Sequence, residues 1–199
     1  MADAPGSAKA HPVVAVYGGS FNPPHVAHVL AVAYARSAVP VDRVLVVPVY
    51  RHPFAKELTP FERRLAMCRL AFEWIPGCVV SEVEATLGGE SRTLRTLEHL
   101  ATREPHWQLR LLVGADVLAD LPKWHRFDKI REIAPPIVLG RMGIDDPRAP
   151  VAVLPRVSST EIRAAFASGD LESIRAFLPA SVLAYVVEHR LYGAGGAAS

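Results

Sequence analysis

Apolar positions in this chain fall into two kinds of run, and the two kinds alternate. Val13 to Tyr17 (VVAVY), Arg43 to Pro48 (RVLVVP), Cys78 to Glu84 and Gln108 to Val113 (QLRLLV) are nearly continuous and rich in branched residues. Such runs predict strands covered on both faces. Ile137 to Leu139 and Val151 to Leu154 predict two shorter strands. The stretches between them carry apolar residues at helical spacing: about His25 to Ser37, Thr59 to Trp74, Thr93 to Thr102, Phe127 to Ile133, Ser158 to Ala167, Leu171 to Phe177 and Ala180 to His189, with a further helical piece at Val117 to Ala119.

The helix starts are marked in the sequence. Thr59 with Glu62, and Ser158 with Glu161, each have the spacing of a capping box, with Pro60 suited to the first helical position. Asp170 is a further candidate cap. Strand-helix alternation along the whole chain predicts an α/β fold with a parallel sheet and helices on both faces. In such a sheet the ligand site lies at the carboxyl ends of the strands, where the strand order reverses.

Composition narrows the class. The chain has 199 residues, half of them hydrophobic, with 21% charged. These proportions suit one domain, here 12–192, flanked by termini (1–11 and 193–199) expected to be flexible. A formal net charge of +2 is too small to point to a nucleic-acid surface. The first eleven residues lack a signal peptide's apolar core, and no run is long enough to span a membrane. Cys68 and Cys78 have no metal-binding spacing and read as structural thiols of a protein in the reducing cytoplasm.

Chemistry concentrates after the first strand, in Gly18-Gly19-Ser20-Phe21-Asn22-Pro23-Pro24-His25-Val26-Ala27-His28. Gly18 and Gly19 allow a sharp turn and close approach to a ligand. Free N–H groups there and at the helix start suit a phosphate. His25 and His28 lie three apart, so one helix face presents both imidazoles to oxygens whose charge grows in a transition state. The same pair could instead ligate a metal, although no third ligand is placed by a motif. The phosphate loop GxxxxGK[ST] is absent.

GGSFNPPHVAH resembles the signature of the HxGH nucleotidyltransferases, and GSFNPPH is similar to that of bacterial nicotinate-nucleotide adenylyltransferases. The resemblance implies a Rossmann-like nucleotidyltransferase fold that joins AMP from ATP to nicotinate mononucleotide, with Mg²⁺ accompanying ATP and no dedicated protein site for the metal. Gly18, Gly19, Ser20 and Phe21 would then surround ATP. The Gly usual between the histidines is Ala27 here, which removes no chemical group.

Two later segments extend the resemblance. Val157-Ser158-Ser159-Thr160-Glu161-Ile162-Arg163 resembles ISSTxIR. Its hydroxyls at Ser158, Ser159 and Thr160 can cap a helix or bond phosphate oxygens, and Arg163 can reach the triphosphate as a charged fork. Gly114-Ala115-Asp116, running on to Trp124, resembles GxDxLxxLxxW. It implies that Gly114 and Asp116 belong to the nucleotide site. Trp124 offers a flat face for a pyridine ring, or is an ordinary core residue. Leu178-Pro179 through Leu191-Tyr192 also matches and is expected to serve packing.

The match weakens around the acceptor. Lys56 stands near a lysine common among relatives. Ser91-Arg92-Thr93-Leu94-Arg95-Thr96 corresponds to SYTxDT, with Arg92 and Arg95 replacing an aromatic and an acid. Thr93 keeps its place as an acceptor contact. The two arginines either bind an anionic group or are solvated helix charges.

ATP and a pyridine mononucleotide are thus the expected partners, with neither nucleic acid nor membrane, and a homo-oligomer left open. The alternatives are the same transfer to nicotinamide mononucleotide or phosphopantetheine, a non-catalytic nucleotide-binding regulator, and a metal hydrolase using the histidine pair.

Overall fold

The computed structural model describes residues 11–52 and 58–194. Six parallel strands form one sheet in the order β3-β2-β1-β4-β5-β6. They are β1 (Val13–Gly19), β2 (Arg43–Pro48), β3 (Cys78–Val80), β4 (Gln108–Gly114), β5 (Pro136–Arg141) and β6 (Ala152–Leu154). Strand β1 pairs with β2 on one side and β4 on the other, so the order reverses between β1 and β4. This is the Rossmann-like arrangement the alternating pattern implies.

The sheet is covered on both faces, and the strand period of two sorts its residues between them. Val14, Val16, Leu45, Val47, Leu111 and Val113 pack with Leu94, Leu97 and Leu100 of α4 (Thr93–Arg103) and Ile130 of α5 (Phe127–Ile133). Ala15, Tyr17, Val44, Val46 and Leu112 face the other way. They meet α1 (Val26–Ala38), α2 (Phe61–Phe72), α6 (Ser159–Ser168), α7 (Leu171–Ile174) and α8 (Ala180–Glu188). Both faces are apolar, which is why these strands read as unbroken runs rather than alternating ones.

Three expectations are corrected. The run Cys78 to Glu84 is not one strand: β3 stops at Val80, and α3 (Val83–Leu87) follows. The Ser81 hydroxyl accepts the Val83 N–H and turns the chain, which swings Glu84 inward to accept the Tyr50 N–H at 3.2 Å. Thr59 does not cap α2. Pro60 holds that position without a side-chain cap, and the Thr59 carbonyl accepts from Arg64 instead. The turn after β1 is not at Gly18-Gly19, which are its last two residues. It is at Phe21, whose φ is +45°, followed by a cis Asn22–Pro23 peptide.

The capping box of Ser158 and Glu161 does form, and the Asp170 carboxylate accepts the Ser173 N–H. Cys68 and Cys78 are free and buried. Burial pushes the Cys78 thiol up to about 12 and the Cys68 thiol higher still, so both stay protonated. Among the described residues no helix is long and apolar enough to cross a membrane.

Gly140 marks where β5 irregularly joins β6. A side chain there would collide with the backbone oxygens of Pro150 and Val151, which cannot rotate away. Gly140→Ala is therefore expected to destabilise the protein by roughly 2 kcal/mol or more, by forcing β6 off β5. The urea midpoint of the variant measures this, and an unchanged midpoint would contradict the packing described.

Candidate active site

A cavity of about 860 Å³ opens at the carboxyl ends of β1, β4 and β5, at the point where strand order reverses. Gly18, Gly19 and Ser20 from β1 and its following turn line it, as do His25, His28, Gly114, Asp116, Thr93 and Trp124. The sequence had drawn these residues from three separate segments.

The two histidines form the centre. Their rings stack at 3.7 Å between centroids, with planes 23° apart. The His25 N–H donates to His28 Nδ1 at 3.1 Å. A neutral imidazole accepting at Nδ1 carries its proton on Nε2, so Nε2–H is the donor His28 can offer. Tyr17 and Phe21 set their ring edges against it from the core side. His25 is 3% exposed, and its Nδ1 is buried without a hydrogen-bond partner among the described residues. An orphan polar atom of that kind is costly unless a ligand completes it.

Both rings are held neutral. Burial and then the Arg141 guanidinium bring His25 down to about 3. Burial, the neighbouring His25 and Arg141 hold His28 well below the usual range. The same burial raises Tyr17, so its hydroxyl stays protonated. The site is therefore a pair of uncharged hydrogen-bonding rings beside a cation.

Arg141 is the residue sequence reasoning missed. It ends β5, lines the cavity, pairs with Asp116 at 2.9 Å and donates to the Val157 carbonyl. No motif surrounds it. Its signal was positional: an arginine closing the buried run IVLGR, at the ligand-binding end of a parallel strand. Glu84, also missed, lines the cavity and receives the Thr96 hydroxyl at 3.0 Å.

Several expected contacts lie elsewhere. Phe21 is 2% exposed and backs the histidine pair from the core instead of facing the cavity. Arg163 donates to the Asn22 carbonyl at 2.9 Å, and Ser159 donates to the Pro23 carbonyl at 2.9 Å. Thr160 accepts from Arg163 at 3.4 Å. These three brace the 20–24 turn from behind and are not among the cavity's lining residues. Ser158 borders a smaller adjoining cavity of about 360 Å³ with Asp116, Arg141 and Arg156. Lys56 lies outside the described residues.

The two arginines of the 91–96 segment separate. Arg95 donates to the carbonyls of Leu87 and Gly88, both at 2.6 Å, and so closes the end of α3. Arg92 lines the cavity and pairs with Glu90 at 3.1 Å.

Comparison with known proteins agrees with this geometry. The cytidylyltransferase-like family model matches residues 16–165. A probable nicotinate-nucleotide adenylyltransferase of Anaeromyxobacter dehalogenans (strain 2CP-C) is 50% identical, over 90% of this chain and 96% of its own. One from Myxococcus xanthus is 41% identical, over 90% and 94%. In fold, the chain is similar to Plasmodium falciparum nicotinic acid mononucleotide adenylyltransferase complexed with NaAD. The TM-score is 0.79 at 20% identity, covering 93% of this chain and 99% of that one. A strand order that places two stacked histidines at its reversal point, together with relatives of half-identical sequence over nearly full length, puts this chain in the nicotinate-nucleotide adenylyltransferase family of cytidylyltransferase-like nucleotidyltransferases.

Proposed function

We propose that the protein transfers the AMP moiety of ATP to nicotinate mononucleotide, giving nicotinate adenine dinucleotide and pyrophosphate, as a cytoplasmic step in NAD formation. The observation that carries this reading is the stacked, neutral His25–His28 pair at the mouth of β1, with Arg141 beside it. Nicotinate-nucleotide adenylyltransferase is also the activity in the names of its half-identical relatives.

In that reaction an acceptor phosphate oxygen attacks the α-phosphorus of ATP. A new P–O bond forms there as the bond to the bridging oxygen breaks, and pyrophosphate carries away the electron pair. The charge that builds on the phosphoryl oxygens needs donors already in place. His28 Nε2–H supplies one, and His25, whose Nδ1 lacks a partner among the described residues, supplies another. Arg141 adds a fixed positive charge that the triphosphate can share with Asp116. The acceptor occupies the arm of the cavity lined by Thr93, Trp124 and Arg92, with a face for its ring and a cation for its carboxylate.

Among the described residues no group of three or more His, Cys, Asp or Glu is arranged to hold a metal. Mg²⁺ would enter with the triphosphate, where it offsets phosphate charge. The residues that prepare the site for it are those that bind the phosphates.

Incubating the protein with ATP and nicotinate mononucleotide and weighing the products tests the reading directly. Nicotinate adenine dinucleotide and pyrophosphate are expected. Turnover of only a nicotinamide or phosphopantetheine acceptor would overturn the acceptor assignment, and ATP binding without any turnover would overturn the enzyme.

His25→Ala and His28→Ala are each expected to lower kcat by on the order of 10²-fold or more, with a smaller effect on KM for ATP. Full activity in both variants would remove the pair from the chemistry.

The buried imidazoles also give stability a pH dependence. His25 titrates near 3 when folded and near 6.5 when unfolded, so below about pH 6.5 the unfolded chain binds the extra proton. Stability is then full above that pH and falls toward pH 3, by up to about 1.4 kcal/mol per pH unit for one ring. Between pH 7 and 5 the wild type should lose denaturant resistance more steeply than His25→Gln. Parallel curves would show that burial is not holding His25 neutral.

A further inference from the structure

We infer that Arg64 is a positioning residue that locks the nucleotide-side loop and the acceptor-side loop into one register. The inference rests on the adenylyl-transfer reading above. It concerns a side chain that is 1% exposed and lies outside the lining of the cavity.

Arg64 stands on α2, and its guanidinium reaches three separate stretches of backbone. Nη1 donates to the Ser20 carbonyl at 3.0 Å, in the turn between β1 and the histidines. Nη2 donates to the Tyr50 carbonyl at 3.4 Å, just past β2. Nε donates to the Thr59 carbonyl at 2.8 Å, where the chain enters α2. Burial lowers its pKa somewhat, with nearby Cys68, Tyr192, Glu62 and Glu84 acting in the opposite sense.

Tyr50 is gripped from the other side as well. Its N–H is shared by Glu84 at 3.2 Å and Ser91 at 2.8 Å, and Ser91 returns its own N–H to the Arg51 carbonyl at 2.9 Å. Glu84 continues to the Thr96 hydroxyl. An unbroken chain of bonds thus runs from Ser20 through Arg64 and Tyr50 to Glu84 and α4. Its first member lies against the proposed ATP site and its last against the proposed acceptor site. In-line transfer requires the acceptor oxygen to be held about 3–3.5 Å from the α-phosphorus and opposite the leaving oxygen, and a misplacement of about 1 Å can cost on the order of 10²-fold in rate. Only a planar fork with several fixed donors holds three carbonyls at once, and a lysine ammonium lacks that reach.

The test is Arg64→Lys, which keeps the charge and loses the fork. Steady-state kinetics with each substrate varied, corrected for the folded fraction by circular dichroism, give the readout. The expected result is a fall in kcat on the order of 10²-fold, with KM raised for both ATP and the mononucleotide. A merely structural role would lower activity only in proportion to the folded fraction and leave both KM values unchanged, and that result overturns the inference. A rise confined to one substrate overturns it too.

Should Arg64→Lys fail to fold, hydrogen exchange on the wild type decides. A non-hydrolysable ATP analogue alone should slow amide exchange at 49–52 as well as at 18–25, and the mononucleotide alone should do the reverse. Protection confined to each ligand's own loop would sink the coupling. Absence of any turnover by the wild type would instead fail the adenylyl-transfer reading, so the two failures are distinct.

Discussion

A site for a triphosphate must keep its own carbonyl oxygens occupied elsewhere, and the turn between β1 and α1 meets that constraint. The Ser20 carbonyl accepts from Arg64, the Asn22 carbonyl from Arg163 and the Pro23 carbonyl from Ser159. None of the three donors lines the cavity. With the oxygens engaged behind, the turn is left to present glycine backbone and two imidazoles to the cavity. The fold exists around this arrangement: β1 delivers the turn at the point of strand reversal, α2 brings Arg64 beneath it, and α6 brings Ser159 and Arg163 behind it.

The same constraint explains the electrostatics. Two stacked rings cannot both be protonated, and burial beside Arg141 keeps both neutral. Neutral donors bind a polyanion less tightly than cations do. They can, however, strengthen their bonds as charge moves toward them, and that difference is what accelerates a reaction. Fixed positive charge is left to Arg141, whose pairing with Asp116 keeps it in place before the substrate arrives.

Much of this was readable from the chain alone. VVAVY, RVLVVP and QLRLLV are covered on both faces, so their apolar runs mark β1, β2 and β4 with ends close to those observed. His25 and His28 were legible because a helix start fixes their relative position. What sequence could not show is what depends on long-range pairing. Cys78 to Glu84 looks like one strand until Ser81 and the Tyr50 amide turn its second half into α3. Thr59 looks like a cap until Pro60 takes the cap position and the Thr59 side chain bonds Tyr192. The bond from Arg163 to the Asn22 carbonyl, 141 positions away, is likewise a pairing no local pattern shows. Arg141 carries no motif, only its place at the end of an apolar run, and that place matters because β5 lies beside β4.

Asn22 has one further tie. Its side-chain oxygen accepts the Tyr192 hydroxyl at 2.8 Å, across 170 positions of sequence. Protein chains are synthesised from the amino end and begin to fold as they emerge. The histidine turn thus emerges well before the residue that clamps it, which is made 170 positions later. A nascent chain therefore carries both imidazoles before it carries the hydroxyl that ties down the turn leading to them, so the final setting of that turn waits for Tyr192.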